Sequence, residues 1–118
     1  MKRPPDLPTV RAMWWSLTAM VRVRRALRRR GLEAIAVPPP PALPGQAFRG
    51  VRLVLRTRPS TCLERAFVLQ AWYAAQGAPK AVVIGIAGPS KDFRAHAWLD
   101  GERAAEAEYQ ELLRLPPG

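Results

Sequence analysis

Apolar positions recur at helical spacing early in the chain. Val10, Met13, Trp14, Leu17, Val21 and Leu27 share a face, with arginines over the remaining surface. Thr9 stands where an N-cap is needed and Gly31 where a left-handed residue would stop the helix, so the pattern predicts a helix over about 9–30. Trp14 and Trp15 read as core or interface anchors. Five prolines between Val37 and Pro44 exclude regular helix and central strand, and predict a semi-rigid connection within one domain. Phe48, Val51, Val54 and Leu55 then predict a second helix that stops before Pro59.

The third helix has the most explicit start. Thr61-Cys62-Leu63-Glu64 fits a capping box, in which the Thr61 hydroxyl takes the Glu64 amide and the Glu64 carboxylate reaches back. Leu63, Ala66, Phe67, Leu69 and Trp72 supply an apolar face, and Gly77 supplies the stop. Beyond Pro79 the pattern turns β-branched. Residues 81–86 predict a buried strand, and Phe93 to Leu99 a second. Asp100-Gly101 signals a turn, and Arg103 to Ala107 is expected to return as a third strand. Helices first and a small antiparallel sheet afterwards make an α+β fold. A chain of 118 residues suits one domain, 1–118, with a basic helical part at 1–46 and a core at 47–118.

Charge divides the chain unequally. Residues 1–58 hold 13 basic side chains against Asp6 and Glu33, whereas residues 59–118 hold 6 basic and 7 acidic. Six arginines fall between Arg22 and Arg30, which makes a basic helical binding module for nucleic acid or an acidic partner one reading of the chain. No aromatic interleaves those arginines and no zinc-finger or RNA-recognition signature accompanies them, which argues against nucleic acid. The apolar run Ala12 to Val21 is too short to span a bilayer. Arginines follow it where a signal peptide would carry a small-residue cleavage site, so a cytoplasmic protein with a reduced thiol is expected.

One cysteine and one histidine exclude a disulfide framework, a four-cysteine zinc site and a histidine-based metal site. Each of the two can be weighed by itself. Cys62 falls at the first position of the capped helix, where free amide N–H groups and the positive end of the dipole favour negative charge on sulfur. The same amides could stabilise an oxyanion. A small buried hydrophobe is the competing reading of that cysteine. His96 alternates with Arg94 and Trp98 on one strand face, where it could act as general base and then general acid, or stand as an unpartnered surface residue. A third group would fix its tautomer, and Glu106, Glu108 and Asp100 are the acids nearby.

Taken together, Cys62-Leu63-Glu64-Arg65-Ala66-Phe67-Val68-Leu69, the strand ending Ile84-Gly85-Ile86, and Phe93-Arg94-Ala95-His96-Ala97-Trp98-Leu99 resemble the transglutaminase-like cysteine peptidases of lasso-peptide biosynthesis. These are the microcin-processing leader peptidases, and the resemblance extends closely over residues 47–108 and loosely over the N-terminal arginine-rich helix. It implies a transglutaminase-like, papain-like core with Cys62 at a helix start, His96 on the following sheet and an acid one strand later. The stretch from His96 to the Asp-Gly turn is shorter here than in that family. Aligning the turn assigns the acid to Glu106, ahead of Glu108 and Asp100.

The resemblance also implies an activity, the removal of a leader from a ribosomally made precursor peptide without metal or organic cofactor. Cys62 would form a thioester with the leader, and His96 would protonate the departing amine and then activate water. Its partners would be the precursor, a separate leader-recognition protein and, as a further candidate, the lasso cyclase. Acyl transfer to an amine is the same chemistry with a different acceptor.

Overall fold

The computed structural model describes residues 6–29, 31, 35–88 and 94–117. The chain forms two compact units, Met1–Ser60 and Thr61–Gly118.

The first unit is an α-helical pair. Helix α1 spans Leu7–Arg29 and helix α2 Phe48–Thr57, preceded by a single 3-10 turn at Gly45–Ala47. The cap of α1 is Asp6, not Thr9: the Asp6 carboxylate accepts the Thr9 amide at 3.0 Å, an N-cap to N3 bond. Hydrogen bonds from Thr9, helped by the charge of Arg49, hold the Asp6 carboxyl below the ordinary aspartate range. Gly31, just past the end, has φ +83 as expected and donates its N–H to Ala26.

The buried seam of α1 differs from the predicted face. Ala12, Trp15, Ser16, Ala19, Met20 and Val23 are buried, whereas Val10, Trp14 and Val21 are exposed. The reason lies on α2. Gly50 sits against the Thr9 carbonyl and the Met13 side chain so closely that even a methyl group would collide. Ala12, Ser16 and Ala19 interleave with Trp15, Met20 and Val23 along the buried seam, while Val10, Trp14 and Val21 fall on the exposed side of α1. Ser16 meets its buried hydroxyl's requirement by donating back to Ala12 and Met13 carbonyls, both at 2.9 Å. The Trp15 indole donates to the Pro38 carbonyl at 2.9 Å, tying the proline segment down.

The second unit carries helix α3 (Cys62–Ala75), strands β1 (Val82–Ala87) and β2 (Arg94–Leu99), helix α4 (Arg103–Glu108) and strand β3 (Gln110–Leu115). The sheet is antiparallel with order β2-β1-β3, so β1 is central. Helices preceding a three-stranded antiparallel sheet give the α+β class.

The expected third strand over 103–107 is instead α4, and the third strand follows at β3. Arg103-Ala104-Ala105-Glu106-Ala107-Glu108 has good helix formers and no β-branched residue, so local preference favours a helical turn. Phe93, the expected start of the second strand, lies outside the described residues.

Helix α3 ends as its sequence directs. Gly77 has φ +82, its N–H donates to Ala74 and that of Ala78 donates to Tyr73, the paired bonds of a Schellman motif. Within the unit, buried Gln70 ties the entry to β1 to the end of β3 beside it. Its amide donates to the Lys80 carbonyl at 2.9 Å and to the Leu115 carbonyl at 3.1 Å.

Candidate active site

The start of α3 is fixed by the capping box its sequence calls for. The Glu64 amide donates to the Thr61 hydroxyl at 3.1 Å, and the Thr61 amide donates to the Glu64 carboxylate at 2.9 Å. Glu64 is 3% exposed while Thr61 is exposed, so the reciprocal pair is half-buried. Cys62 is the next residue, half-buried, with a free thiol. Cys62 is thus the first residue of a helix whose leading amides have no intrahelical acceptors.

Strand β2 supplies a further donor. The Asp100 amide donates to the Ala81 carbonyl, and the register pairs Trp98 with Val83 and His96 with Gly85. Amides at the even positions therefore point toward β1, and those at the odd positions point off the open edge of the sheet. Ala97 is an odd position, and its N–H donates to the Cys62 sulfur at 3.4 Å. One donor on the open edge of β2 is thus met by the Cys62 sulfur, one residue from His96.

His96 lies on the face of the sheet shared with Val83, Gly85 and Trp98. Its imidazole stacks with Trp98 at a centroid distance of 5.9 Å and meets Tyr109 at 5.0 Å. Trp98 and Tyr109 complete the triangle at 5.9 Å. Val83, Trp98 and Ala105 form the small core beneath, with Tyr109 packed against it. Among the described residues, the imidazole makes these ring contacts and no hydrogen bond, and the buried Trp98 indole N–H is likewise without an acceptor.

Each of the three candidate acids is engaged away from the imidazole. Glu106 lies on α4 rather than on a strand, and its carboxylate accepts the Gly101 amide at 2.9 Å, bracing the turn that follows β2. Glu108 pairs with Arg94 at 3.0 Å. Asp100 pairs with Arg114 at 2.8 Å, and Arg114 also binds Glu111 at 2.7 Å. Those bonds, to Glu111 first and then Asp100, hold the guanidinium in its charged form, and Arg114 in turn keeps the Glu111 carboxyl below its usual range.

The structure therefore brings Cys62 beside the strand of His96, places Glu106 at the turn beyond it, and adds Tyr109. Sequence reasoning missed Tyr109. The available signal was a lone aromatic between Glu108 and Gln110, in a stretch otherwise charged or small. Among the described residues no group of three His, Cys, Asp or Glu side chains could hold a metal ion. Among them also, no helix is long and apolar enough to cross a membrane.

Comparison with known proteins matches residues 7–114 to the model of one family, the transglutaminase-like superfamily. Neither the curated proteins nor the solved structures contain a match to the chain.

Proposed function

The chain belongs to the transglutaminase-like superfamily, and on that premise we propose that it is a cysteine peptidase that removes the leader from a lasso-peptide precursor, with Cys62 as nucleophile and His96 as proton carrier. The observation that carries the chemistry is the position of the only thiol. It stands in the first turn of a capped helix and receives the N–H of the residue next to the only histidine. The Ala97 N–H reaches the sulfur, and the residue that bears that sulfur opens α3, whose N-terminus carries positive partial charge. The identification of the precursor rests on the resemblance of the Cys62 helix start and the Ala95-His96-Ala97-Trp98 strand to the leader peptidases.

The steps follow from those roles. His96 takes the Cys62 thiol proton as the sulfur adds to the carbonyl of the leader–core junction, and the C–N bond breaks as His96 passes that proton to the departing amine. The acyl group remains on sulfur as a thioester. Water then adds to that carbonyl as His96 takes one of its protons, and the C–S bond breaks as His96 returns the proton to the sulfur, releasing the leader acid and restoring the thiol. The backbone amide of Cys62 is suited to the oxyanion of both additions. Glu106 is the proposed acid of the site, and its bond to Gly101 steadies the turn immediately after the strand of His96.

The first unit supplies a surface for a separate leader-recognition protein. Leu7, Val10, Trp14 and Val21 recur along one stripe of α1 and are exposed, Leu7 and Trp14 each to 71%. Arg25 and Arg28 continue the same stripe, flanked by exposed Arg22 and Arg29; Arg30 lies outside the described residues. An apolar ridge running into cations suits an amphipathic acidic protein face better than a nucleic-acid groove, which has no use for the valines and leucine.

The test is cleavage of precursor peptide by the full chain with its recognition protein, followed by product mass. Cys62→Ala and His96→Ala are each expected to abolish cleavage with the fold retained. An undiminished rate in either variant overturns the reading. A product joined to an added amine, instead of a free leader acid, would identify an acyl transferase.

A further inference from the structure

In this fold a proton-carrying imidazole needs a neighbour that fixes its ring, and every candidate carboxylate is bonded elsewhere: Glu106 to Gly101, Glu108 to Arg94 and Asp100 to Arg114. We propose that Tyr109 is the positioning residue for His96, its ring fixing the orientation of the imidazole by contact. The inference rests on the peptidase reading for the use of the imidazole, but its structural half stands without it.

Tyr109 is held on three sides. Its amide donates to the Ala105 carbonyl at 2.8 Å, which locks the backbone to the last turn of α4. The Arg94 guanidinium lies 5.9 Å from the ring centroid on a strand residue two before His96, and Glu108 pins that guanidinium at 3.0 Å. Trp98 backs the ring at 5.9 Å. Trp98 is itself immobilised: it is 3% exposed and lies over Gly85, where an added Cβ would come within 2.5 Å of the indole. The imidazole therefore meets two fixed aromatic surfaces, Tyr109 tilted by 30° and Trp98 nearly parallel at 19°.

The arrangement also gives Glu108 a place in the site. It acts through Arg94 on Tyr109 and reaches the imidazole only by way of that ring. Glu106 acts on the other side, through the turn at Gly101. The two acids thus set the two ends of the strand and ring assembly that carries His96, and neither is the group in contact with it.

The histidine is single in this sequence, so its imidazole proton resonances are unambiguous in the free protein. They are expected upfield of an exposed histidine because two rings face the imidazole. Tyr109→Phe keeps the ring and is expected to keep both the upfield position and kcat. Tyr109→Leu is expected to move the resonances downfield, leaving only the Trp98 contribution, and to lower kcat by about 10- to 100-fold with little change in KM. Arg94→Met, at an exposed position, loosens the clamp without opening the core and is expected to move both readouts the same way by less. It keeps the inference testable if Tyr109→Leu does not fold.

An unchanged or raised kcat in Tyr109→Leu overturns the proposal. So does a Tyr109→Phe variant as impaired as Tyr109→Leu, which would assign the role to the hydroxyl. Histidine resonances unshifted in the wild-type chain overturn it without any substrate. A wild-type chain that shows the shifts but cuts no precursor condemns the peptidase reading instead, and the resonances of the variants then decide the positioning alone.

Discussion

The backbone N–H of Ala97 donates to the Cys62 sulfur at 3.4 Å, so a main-chain atom of the histidine strand sets the position of the thiol. That contact is as precise as the helix start that presents the sulfur. Thr61 and Glu64 fix this start by two reciprocal bonds. Thr61→Ala leaves the Glu64 amide without its acceptor and is expected to cost about 1 kcal/mol of stability. The sulfur then shifts with the frayed turn, and kcat is expected to fall by about tenfold or more at nearly constant KM. Urea unfolding and steady-state cleavage check the two effects separately, and the Thr61→Ser variant should retain both properties.

A second prediction concerns Gly85, the β1 residue paired with His96. A methyl group there would approach the Trp98 ring to 2.5 Å and the Gln110 carbonyl to 2.6 Å. One is a buried ring and the other is backbone, so neither yields easily. Gly85→Ala is expected to destabilise the second unit by about 1–3 kcal/mol. It should also displace Trp98 from beneath the imidazole. Chemical denaturation measures the first effect, and the histidine resonances report the second. A fully stable Gly85→Ala with unchanged resonances would show that the ring cluster adapts.

Local chemistry in the sequence reached the fold wherever the deciding partners are a few residues apart. The capping box at Thr61 and Glu64 is an i, i+3 relation, and the Gly77 stop depends on one turn, so both were legible. The buried face of α1 was not, because Gly50 on another helix decides which side of α1 can come close. Of the two tryptophans that read as core or interface anchors, Trp15 is buried and Trp14 is exposed. The third strand was placed too early because a return strand was expected straight after the Asp100-Gly101 turn, where helix formers intervene. At the site, Cys62 and His96 were identifiable as single residues of their kind. The surroundings of His96 were not, since each nearby acid has a closer partner for its charge or a free amide, and Tyr109 arrives only after the turn of α4.

The exposed stripe of α1 makes a prediction about binding rather than chemistry. Arg25 and Arg29 are exposed on the helix of the first unit, whereas Cys62 and His96 belong to the second. Reversing both charges, Arg25→Glu with Arg29→Glu, is expected to raise KM for the precursor–recognition-protein pair while kcat changes little. The effect should shrink as salt rises, because exposed charges are screened. Titration of the purified recognition protein against the variant gives the affinity directly. Retained affinity for that protein, with loss of binding to duplex DNA or RNA instead, would assign the arginines to nucleic acid.

The Asp6 cap leads to a pH dependence with a definite sign. The folded chain holds this carboxyl below its ordinary value of 3.8 through the bonds to Thr9. A carboxyl depressed on folding contributes its stabilisation fully above the ordinary value and loses it as pH falls through the lower folded one. Helix content of the chain should accordingly be flat from neutrality to about pH 4, as expected for an ordinary aspartate range, and decline below it. Asp6→Asn preserves an N-cap oxygen without a titrating group, so its acid decline should be shallower while its stability at neutral pH stays close to wild type. Asp6→Ala removes the cap at every pH and should be less stable throughout. Circular dichroism at 222 nm during acid titration separates the three. An Asp6→Asn curve that superimposes on the wild type would place the acid transition on other carboxylates, Glu111 with Arg114 first among them.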